Sequence, residues 1–514
     1  MSTMSMRFAL KEKRVGKITE IGLTRLTSTP LTPTGSRAKA CQPLRAVSAT
    51  VPSPDAYGTG VFRLHDYQRQ AVRFALHAFR KTGGCGLFLD MGLGKTLTSI
   101  AIMDICHAAD PDLRFLVVAP LRPAKDTWAA ELEKFKGLHS LDWAVCTGTP
   151  AQRRKALEQE ATVTVINQEN LVWLDTEVRR WPWRALVIDE LSGFRNPRAK
   201  RFRVLRRRRK GFDWVLGLTG TPAPKGLMDL WAQVFLLDGG AALGRTVTSY
   251  RQRWFTPGAH RGDVVFEWRP RPGAYREIMD AIGGFCLTML ARDKLAGLPH
   301  STVIDHMLDM PHGTRVVYDR LRRDLCVGLA GREVAASNAG VLAGKLSQVT
   351  AGCLYPGPDT PDAPVTHLDD VKLDELDSII DRSGGEQILV FYQLVDELER
   401  LVARHPQTRM VGEEGVVAAW NRGEVPLLAA HPASARFGLN LQAGGHIIVW
   451  LSVPWSIEDW LQGNARLDRQ GQTRPVQIHR LVERGTIDTR KCRVLSGRLG
   501  LQDAIMGELR ETES

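Results

Sequence analysis

The sequence predicts an α/β protein with two parallel sheets in tandem and a partly helical stretch between them. Short apolar runs alternate with patterns of helical spacing from residue 64 to 220, and the same alternation restarts near Leu373 and continues to 482. Such alternation marks a parallel sheet covered by helices on both faces, because parallel neighbours need a long crossover, normally a helix. The length of 514 residues leaves room for about three units at roughly 150 residues each.

The first segment, 1–55, is rich in Ser, Thr, Pro and basic residues, with Glu12 and Glu20 the only acidic residues before Asp55. It reads as a flexible basic tail. A transit peptide is the second reading, weakened by those two glutamates. Its start, MSTMSMRFALKEKR, lacks the apolar core of a secretory signal. Order is expected from near Tyr57, with a first domain over 56–240. HDYQRQAVRFALHAF places Tyr67, Ala71, Phe74, Ala75 and Ala78 at helical spacing. GLFLD (86–90), FLVVAP (115–120), VTVIN (163–167), ALVIDE (185–190) and WVLGLTG (214–220) are strand candidates, and a helix bearing Trp128 and Leu132 follows the second of them. Residues 241–370 are less regular, with helical patterns and a Pro/Asp-rich turn at 356–364, and are expected to be a linker and helical insertion. The second domain is expected over 371–514, with LDELDSIID and VDELERLVARH helical and QILVFY, PLLAAH, HIIVWL and VQIHRLV as strands.

Composition narrows the function. Apolar residues are 43% and charged residues 24%, as in ordinary globular proteins. No apolar run approaches the roughly 18 residues of a membrane span. The net charge is +13, which suits a polyanionic partner, nucleic acid first, or serves solubility alone. The eight cysteines form no CxxC pair and no zinc pattern. They read as core thiols in a reducing compartment, the cytosol or, in a eukaryote, the nucleus.

Three constellations carry chemistry. DMGLGKT (Asp90, Met91, Gly92, Leu93, Gly94, Lys95, Thr96) follows an apolar strand and opens a helical pattern. Glycines let the backbone wrap a polyphosphate, and a helix N-terminus adds its dipole. Lys95 is expected to reach the β- and γ-phosphates of ATP and Thr96 to ligate Mg²⁺. Without nucleotide, Lys95 is expected to face solvent. The strict GxxxxGK[ST] pattern is broken at Leu89, where glycine would stand. ALVIDEL supplies the second constellation: Asp189 fits a magnesium ligand acting through water, and Glu190 a residue that orients or deprotonates the attacking water. The third is QGNARLDRQGQ, where Arg466 and Arg469 lie three residues apart, on one face if helical.

The order YQ, DMGLGKT, VVAPLRPAKDTW, DEL, LTGTP, GLNLQ, QGNARLDRQGQ resembles the motif series of helicase superfamily two, in particular the Swi/Snf-type DNA-dependent ATPases. The matching stretches run from about Leu64 to Asp488. The resemblance implies two RecA-like domains of the P-loop NTPase class with ATP between them. It implies that Gln68 recognises adenine, and that Thr219, Gly220, Thr221 and Pro222 link the ATP state to nucleic-acid contacts. Gly438 to Gln442 would lie near nucleotide and DNA, and Gln462, Arg466 and Arg469 would belong to the arginine-finger motif. Two departures occur. Ser192 stands where many relatives carry histidine, as in bacterial and phage members that read DELS, and Ala465 replaces a glycine. The short insertions point to a minimal, phage-like motor supplied with a target by a partner protein, for instance a nuclease.

Two signals stay open at this level. The run KRFRVLRRRRK, with Arg206, Arg207, Arg208, Arg209 and Lys210, is either a phosphate-contacting surface or a solvated helix face held by Phe202 and Leu205. Trp128 and Trp455 stack on bases or pack their own helices. The function expected is an ATP hydrolase stimulated by DNA that tracks along duplex, with contacts mostly to phosphate. A strand-separating DNA or RNA helicase and a nucleic-acid-binding scaffold with weak ATPase are the rivals.

Overall fold

The computed structural model describes residues 63–508, apart from 259, 262–263, 266, 296–298, 331–335, 357–363 and 436–438. The expected basic tail, 1–55, lies outside the described residues.

The first sheet has seven parallel strands. In chain order they are β1 (Gly84–Leu89), β2 (Phe115–Ala119), β3 (Trp143–Cys146), β4 (Val163–Asn167), β5 (Ala185–Asp189), β6 (Trp214–Thr219) and β7 (Cys286–Met289). Their spatial order is β7-β1-β6-β5-β2-β4-β3. β1, β2, β4 and β6 are buried along their whole length, which is why they read as continuous apolar runs rather than alternating ones. Helix α1 (Asp66–Thr82) buries Tyr67, Ala71, Ala75 and Ala78 of the predicted face, with Val72 beside them and Phe74 half-buried. Helix α2 (Lys95–Ala109) follows β1, and α3 (Trp128–Lys134) follows β2 through a π-helical turn, Pro123–Thr127. Farther along lie α4 (Lys200–Arg208) and α5 (Leu230–Asp238).

The second sheet has six parallel strands: β8 (Thr302–Leu308), β9 (Ile388–Phe391), β10 (Arg409–Met410), β11 (Leu427–Ala430), β12 (Ile447–Trp450) and β13 (Gln477–Glu483). Their order is β8-β13-β12-β9-β11-β10. Apolar clusters cover both faces, one built on Phe391, Trp420, Trp450 and Trp460, the other on Leu376, Ile388, Val390 and Leu481. Helices α6 (His312–Ala330) and α7 (Ala336–Val349) precede α8 (Val371–Arg382). Helix α9 (Ile457–Asn464) follows β12, and α10 (Ile487–Glu508) follows β13. A small core of Met310, Tyr318, Leu346, Val349 and Ile487 ties α6 and α7 to α10.

One expectation is corrected. Residues 241–370 are not a linker set apart: they supply β7 to the first sheet and β8 to the second. Tyr250, Trp254, Ile278 and Phe285 are buried in the first domain's core. β7 was overlooked because its apolar run is four residues long, and β8 because, as an edge strand, it alternates exposed and half-buried positions.

Buried free thiols occur at Cys85, Cys106, Cys146, Cys286 and Cys353. No described helix is long and apolar enough to cross a membrane.

Candidate functional site

Parallel sheets collect ligands at the carboxyl ends of their strands, and here three neighbouring strands, β1, β6 and β5, end in the glycine loop, the LTGTP stretch and the acidic pair. Because β6 lies between β1 and β5, the glycine loop, Thr219 and the Asp189–Glu190 pair stand side by side.

The loop from Asp90 to Gly94 turns on two left-handed glycines, Gly92 at φ 84° and Gly94 at φ 67°. Gly94 immediately precedes α2, whose first two residues are Lys95 and Thr96. Met91 and Gly92 are half-buried, Leu93 is buried beneath the loop, and Asp90 accepts the backbone N–H of Ala291 at 3.0 Å. Gln68 is buried and its Oε1 accepts the N–H of His65 at 2.9 Å. A β-carbon on Gly94 would fall 2.5 Å from Gln68 Nε2, so the amide lies directly on the loop.

Lys95 does not face solvent as expected. Its Nζ donates to the carbonyls of Leu89 at 2.9 Å and Asp90 at 3.2 Å. Burial pulls its pKa down, against the carboxylates of Glu190, Asp189 and Asp90. A half-buried ammonium gains by finding acceptors, and the loop's own carbonyls supply them.

Glu190 has a left-handed backbone, φ 54°, a conformation uncommon for a side-chain-bearing residue and often kept at functional sites. Ser192 Oγ donates to its Oε1 at 2.6 Å and Thr219 Oγ1 to the same oxygen at 2.9 Å. Thr219 Oγ1 in turn accepts the N–H of Thr221 at 3.0 Å. Asp189 receives the indole N–H of Trp128 on Oδ2 at 3.0 Å and the N–H of Glu190 on Oδ1 at 3.1 Å. Burial raises the Asp189 pKa, opposed by the Trp128 hydrogen bond and by Lys95.

The second domain brings its arginines to this edge. A β-carbon on Gly92 would lie 3.4 Å from Cβ of Arg469. Arg469 is also close enough to Lys95 to depress it further, and Glu131 of α3 acts on Arg469 in the opposite sense. Arg466 is buried and its Nε donates to the carbonyl of Gln462 at 2.9 Å. Both guanidiniums lean on one carbonyl, that of Leu439, at 3.3 and 3.5 Å. Burial, with Arg469 beside it, lowers Arg466 to about 10. Arg469 Nε, Gln462 Oε1 and Thr221 Oγ1 are buried without a hydrogen-bond partner. Gly220 sits between Met91 and the Lys95 ammonium, and Gly438 lies outside the described residues. Arg195, just after the acidic pair, bonds Glu458 of α9 across the two domains at 2.6 Å.

Two crowded cations with no carboxylate in ion-pair distance among the described residues, beside a glycine loop and an ammonium, suit a polyphosphate. The Thr96 hydroxyl and the Asp189 carboxylate are hard oxygen donors of the kind Mg²⁺ takes.

The model of the SNF2-related domain matches residues 67–351, more than half of the chain. The chain belongs to the SNF2-related family. The two parallel sheets are the pair of RecA-like domains that such membership implies. Protein p41 of Acyrthosiphon pisum secondary endosymbiont phage 1 is 32% identical over 461 residues, covering 87% of this chain and 98% of that protein. Chromodomain-helicase-DNA-binding protein 1-like of Danio rerio is 25% identical over 504 residues, and the match spans 47% of that longer relative. Among solved structures, a Sulfolobus solfataricus SWI2/SNF2 ATPase core in complex with dsDNA is similar at a TM-score of 0.42 and 21% identity, covering 87% of this chain and 93% of that one.

In this SNF2-related chain the basic run is largely consumed by its own domain. Phe202 and Leu205 are buried, as the helix-face reading requires. Arg207 and Arg208 both pair with Asp175, and Arg208 also stacks on Trp181. Arg209 donates to the carbonyls of Phe212, Gly83 and Leu237, and Arg206 covers the ring of Phe235. Gly83 precedes β1, so the cluster lies at the end of the sheet away from the phosphate loop. Lys210 is exposed beside it.

Sequence reasoning missed the partners of the acidic pair. Trp128 is fully buried and its polar end goes to Asp189, which neither base stacking nor helix packing anticipated. Ser192, noted only as a departure, carries a bond to Glu190. Gln168 Nε2, which no signal marked, donates to the carbonyl of Asp189 at 3.1 Å.

Proposed function

We propose that this chain is an ATP-driven motor on DNA that hydrolyses ATP to ADP and phosphate and is stimulated by duplex. The observation that carries the reading is the meeting of Gly92 in the phosphate loop with Arg469 from the other domain. A binding module with an idle nucleotide fold has no need to bring an arginine whose guanidinium holds only a long bond to one carbonyl, with a second arginine beside it, to a phosphate loop.

On this reading the N–H groups of the glycine loop and the Lys95 ammonium hold the β- and γ-phosphates, Lys95 exchanging its two loop carbonyls for phosphate oxygens. Thr96 and Asp189 would hold Mg²⁺, which would supply charge neutralisation at the transferred phosphoryl group. Glu190 takes the proton of the attacking water; Ser192 and Thr219 grip Oε1 and so aim Oε2. Arg466 and Arg469 swing from the Leu439 carbonyl to the charge that builds on the transferred group. Thr219 belongs to the loop that continues through Gly220 and Thr221, so a shift of that loop under DNA alters the grip on Glu190.

The test is ATP turnover of the purified protein alone and with single-stranded DNA, duplex DNA or RNA. Turnover raised most by duplex is the expected result. Turnover that ignores every nucleic acid would overturn the motor, and absent turnover with retained DNA binding would favour a scaffold.

A further inference from the structure

The indole of Trp128 stands in a position that packing alone does not require. The side chain is fully buried. Indole has one polar atom, a donor, and a buried donor must be satisfied. Among the other buried indoles, Trp231 and Trp420 bond main-chain carbonyls, Trp183 and Trp450 neutral side chains, and Trp254 the carboxylate of Glu277. Trp128 gives its donor to Asp189 Oδ2, 61 residues away, at 3.0 Å, in the acidic pair of the candidate site.

The backbone that presents it is equally particular. After β2 the chain makes a π-helical turn, Pro123–Thr127, in which the N–H of Trp128 reaches back to the carbonyl of Pro123. Single π turns recur at functional sites because the i to i+5 pattern is otherwise disfavoured. Ala124 is buried beneath the turn and Leu132 lies one helical turn beyond Trp128, also buried. The indole is buried within this segment, and its N–H goes to Asp189. The other oxygen of Asp189 is held by the N–H of Glu190. The carboxylate is thus fixed at both ends, one end by the next residue and the other by a residue of a different element.

We propose that Trp128 is the positioning residue of the metal-holding carboxylate, fixing the rotamer from which Asp189 meets Mg²⁺. The inference rests on the ATPase reading above and adds to it. Partners of this outer kind typically set metal affinity by about 10- to 100-fold.

Two substitutions separate positioning from packing. Trp128→Phe keeps much of the ring volume and loses the donor. Trp128→His loses more volume but keeps a ring N–H at the equivalent place along the side chain. Binding of Mn²⁺ in place of Mg²⁺ is followed by electron paramagnetic resonance, with and without ADP, alongside a melting curve and ADP affinity in chelator. Trp128→Phe is expected to weaken nucleotide-dependent Mn²⁺ binding by about 10-fold, with metal-free ADP affinity within about twofold of the parent. Trp128→His is expected to melt lower than Trp128→Phe and yet bind Mn²⁺ more tightly than it. Metal affinity that instead follows melting temperature would overturn the proposal, as would Mn²⁺ affinity unchanged in Trp128→Phe. Loss of cooperative melting in both variants would also overturn it, since the indole would then be needed to fold the domain. A parent whose Mn²⁺ binding ignores ADP would overturn the ATPase reading itself, a result seen before either variant is made.

Discussion

Glu190 shows how much of the site is decided one side chain at a time. Two hydroxyls hold one of its oxygens, and its left-handed backbone places it at the exposed end of a buried strand. Glu190→Gln should bind ATP as the parent does, because Asp189 and the loop remain. It should cleave it slowly, because an amide cannot accept the proton of water. Nucleotide affinity and single-turnover cleavage, measured separately, check this; weakened binding with normal cleavage would contradict the role. Lys95→Ala should abolish turnover. It should also lower stability by about 1 kcal/mol, because the ammonium bonds two loop carbonyls. The ATPase rate and a melting curve together decide it, and normal turnover in a folded variant would remove the loop from phosphate chemistry.

Elements show where chemistry of the same kind is put to different uses. Helix α4 carries a run of arginines, yet its Arg207 and Arg208 are tied to Asp175. Replacing both with alanine should cost about 1 kcal/mol and leave the salt dependence of duplex affinity unaltered. A fall in the slope of log affinity against log salt of about 0.9 per contact would restore the phosphate-binding reading. At the end of β13, Glu483 is buried with both carboxyl oxygens unpartnered, near Lys372 and Asp488. Burial pushes its carboxyl from 4.5 up to about 8. The folded chain therefore keeps a proton that the unfolded chain gives up. The resulting stability is complete below about pH 4.5 and is lost as pH rises through about 8. Glu483→Gln has no proton to lose, so it should match the parent in melting temperature near pH 4 and exceed it at pH 9. A parallel pair of melting curves across that range would refute the assignment.

At the scale of the whole molecule, the question is whether two sheets act as one machine. Arg469 reaches the first domain at Gly92 and Glu131, and Arg195 reaches the second at Glu458. Replacing Arg466 or Arg469 with alanine should cut DNA-stimulated turnover by on the order of 10³-fold, the usual scale for a lost arginine finger. Lysine should rescue poorly, since a point charge lacks the planar fork. Nucleotide binding should survive. Of the two, Arg469→Ala should be the gentler on stability, because Arg466 is buried and bonded to two main-chain carbonyls. Measuring kcat at saturating ATP and duplex tests this; turnover within about threefold of the parent for both would mark them as surface charges and withdraw the two-domain mechanism.

The sequence by itself determined what is local along the chain. Buried parallel strands are continuous apolar runs, so β1, β2, β4, β5, β6, β9 and β12 were legible as such. The loop from Asp90 to Thr96 is contiguous, so its glycines and lysine declare themselves together. Only the tertiary structure decided which distant groups meet. It tied Lys95 to its own loop, gave Trp128 to Asp189 and Ser192 to Glu190, and spent Arg207 and Arg208 of α4 on Asp175 and Arg209 just beyond it on main-chain carbonyls. It also assigned Cys286–Met289 and Thr302–Leu308 to the two sheets. Periodicity and turn chemistry act within a few residues, whereas burial and hydrogen-bond partners are set by packing between segments far apart in sequence. An arginine or a tryptophan therefore has the same local signature whether it serves a ligand or a neighbouring carbonyl, and the fold alone distinguishes the two.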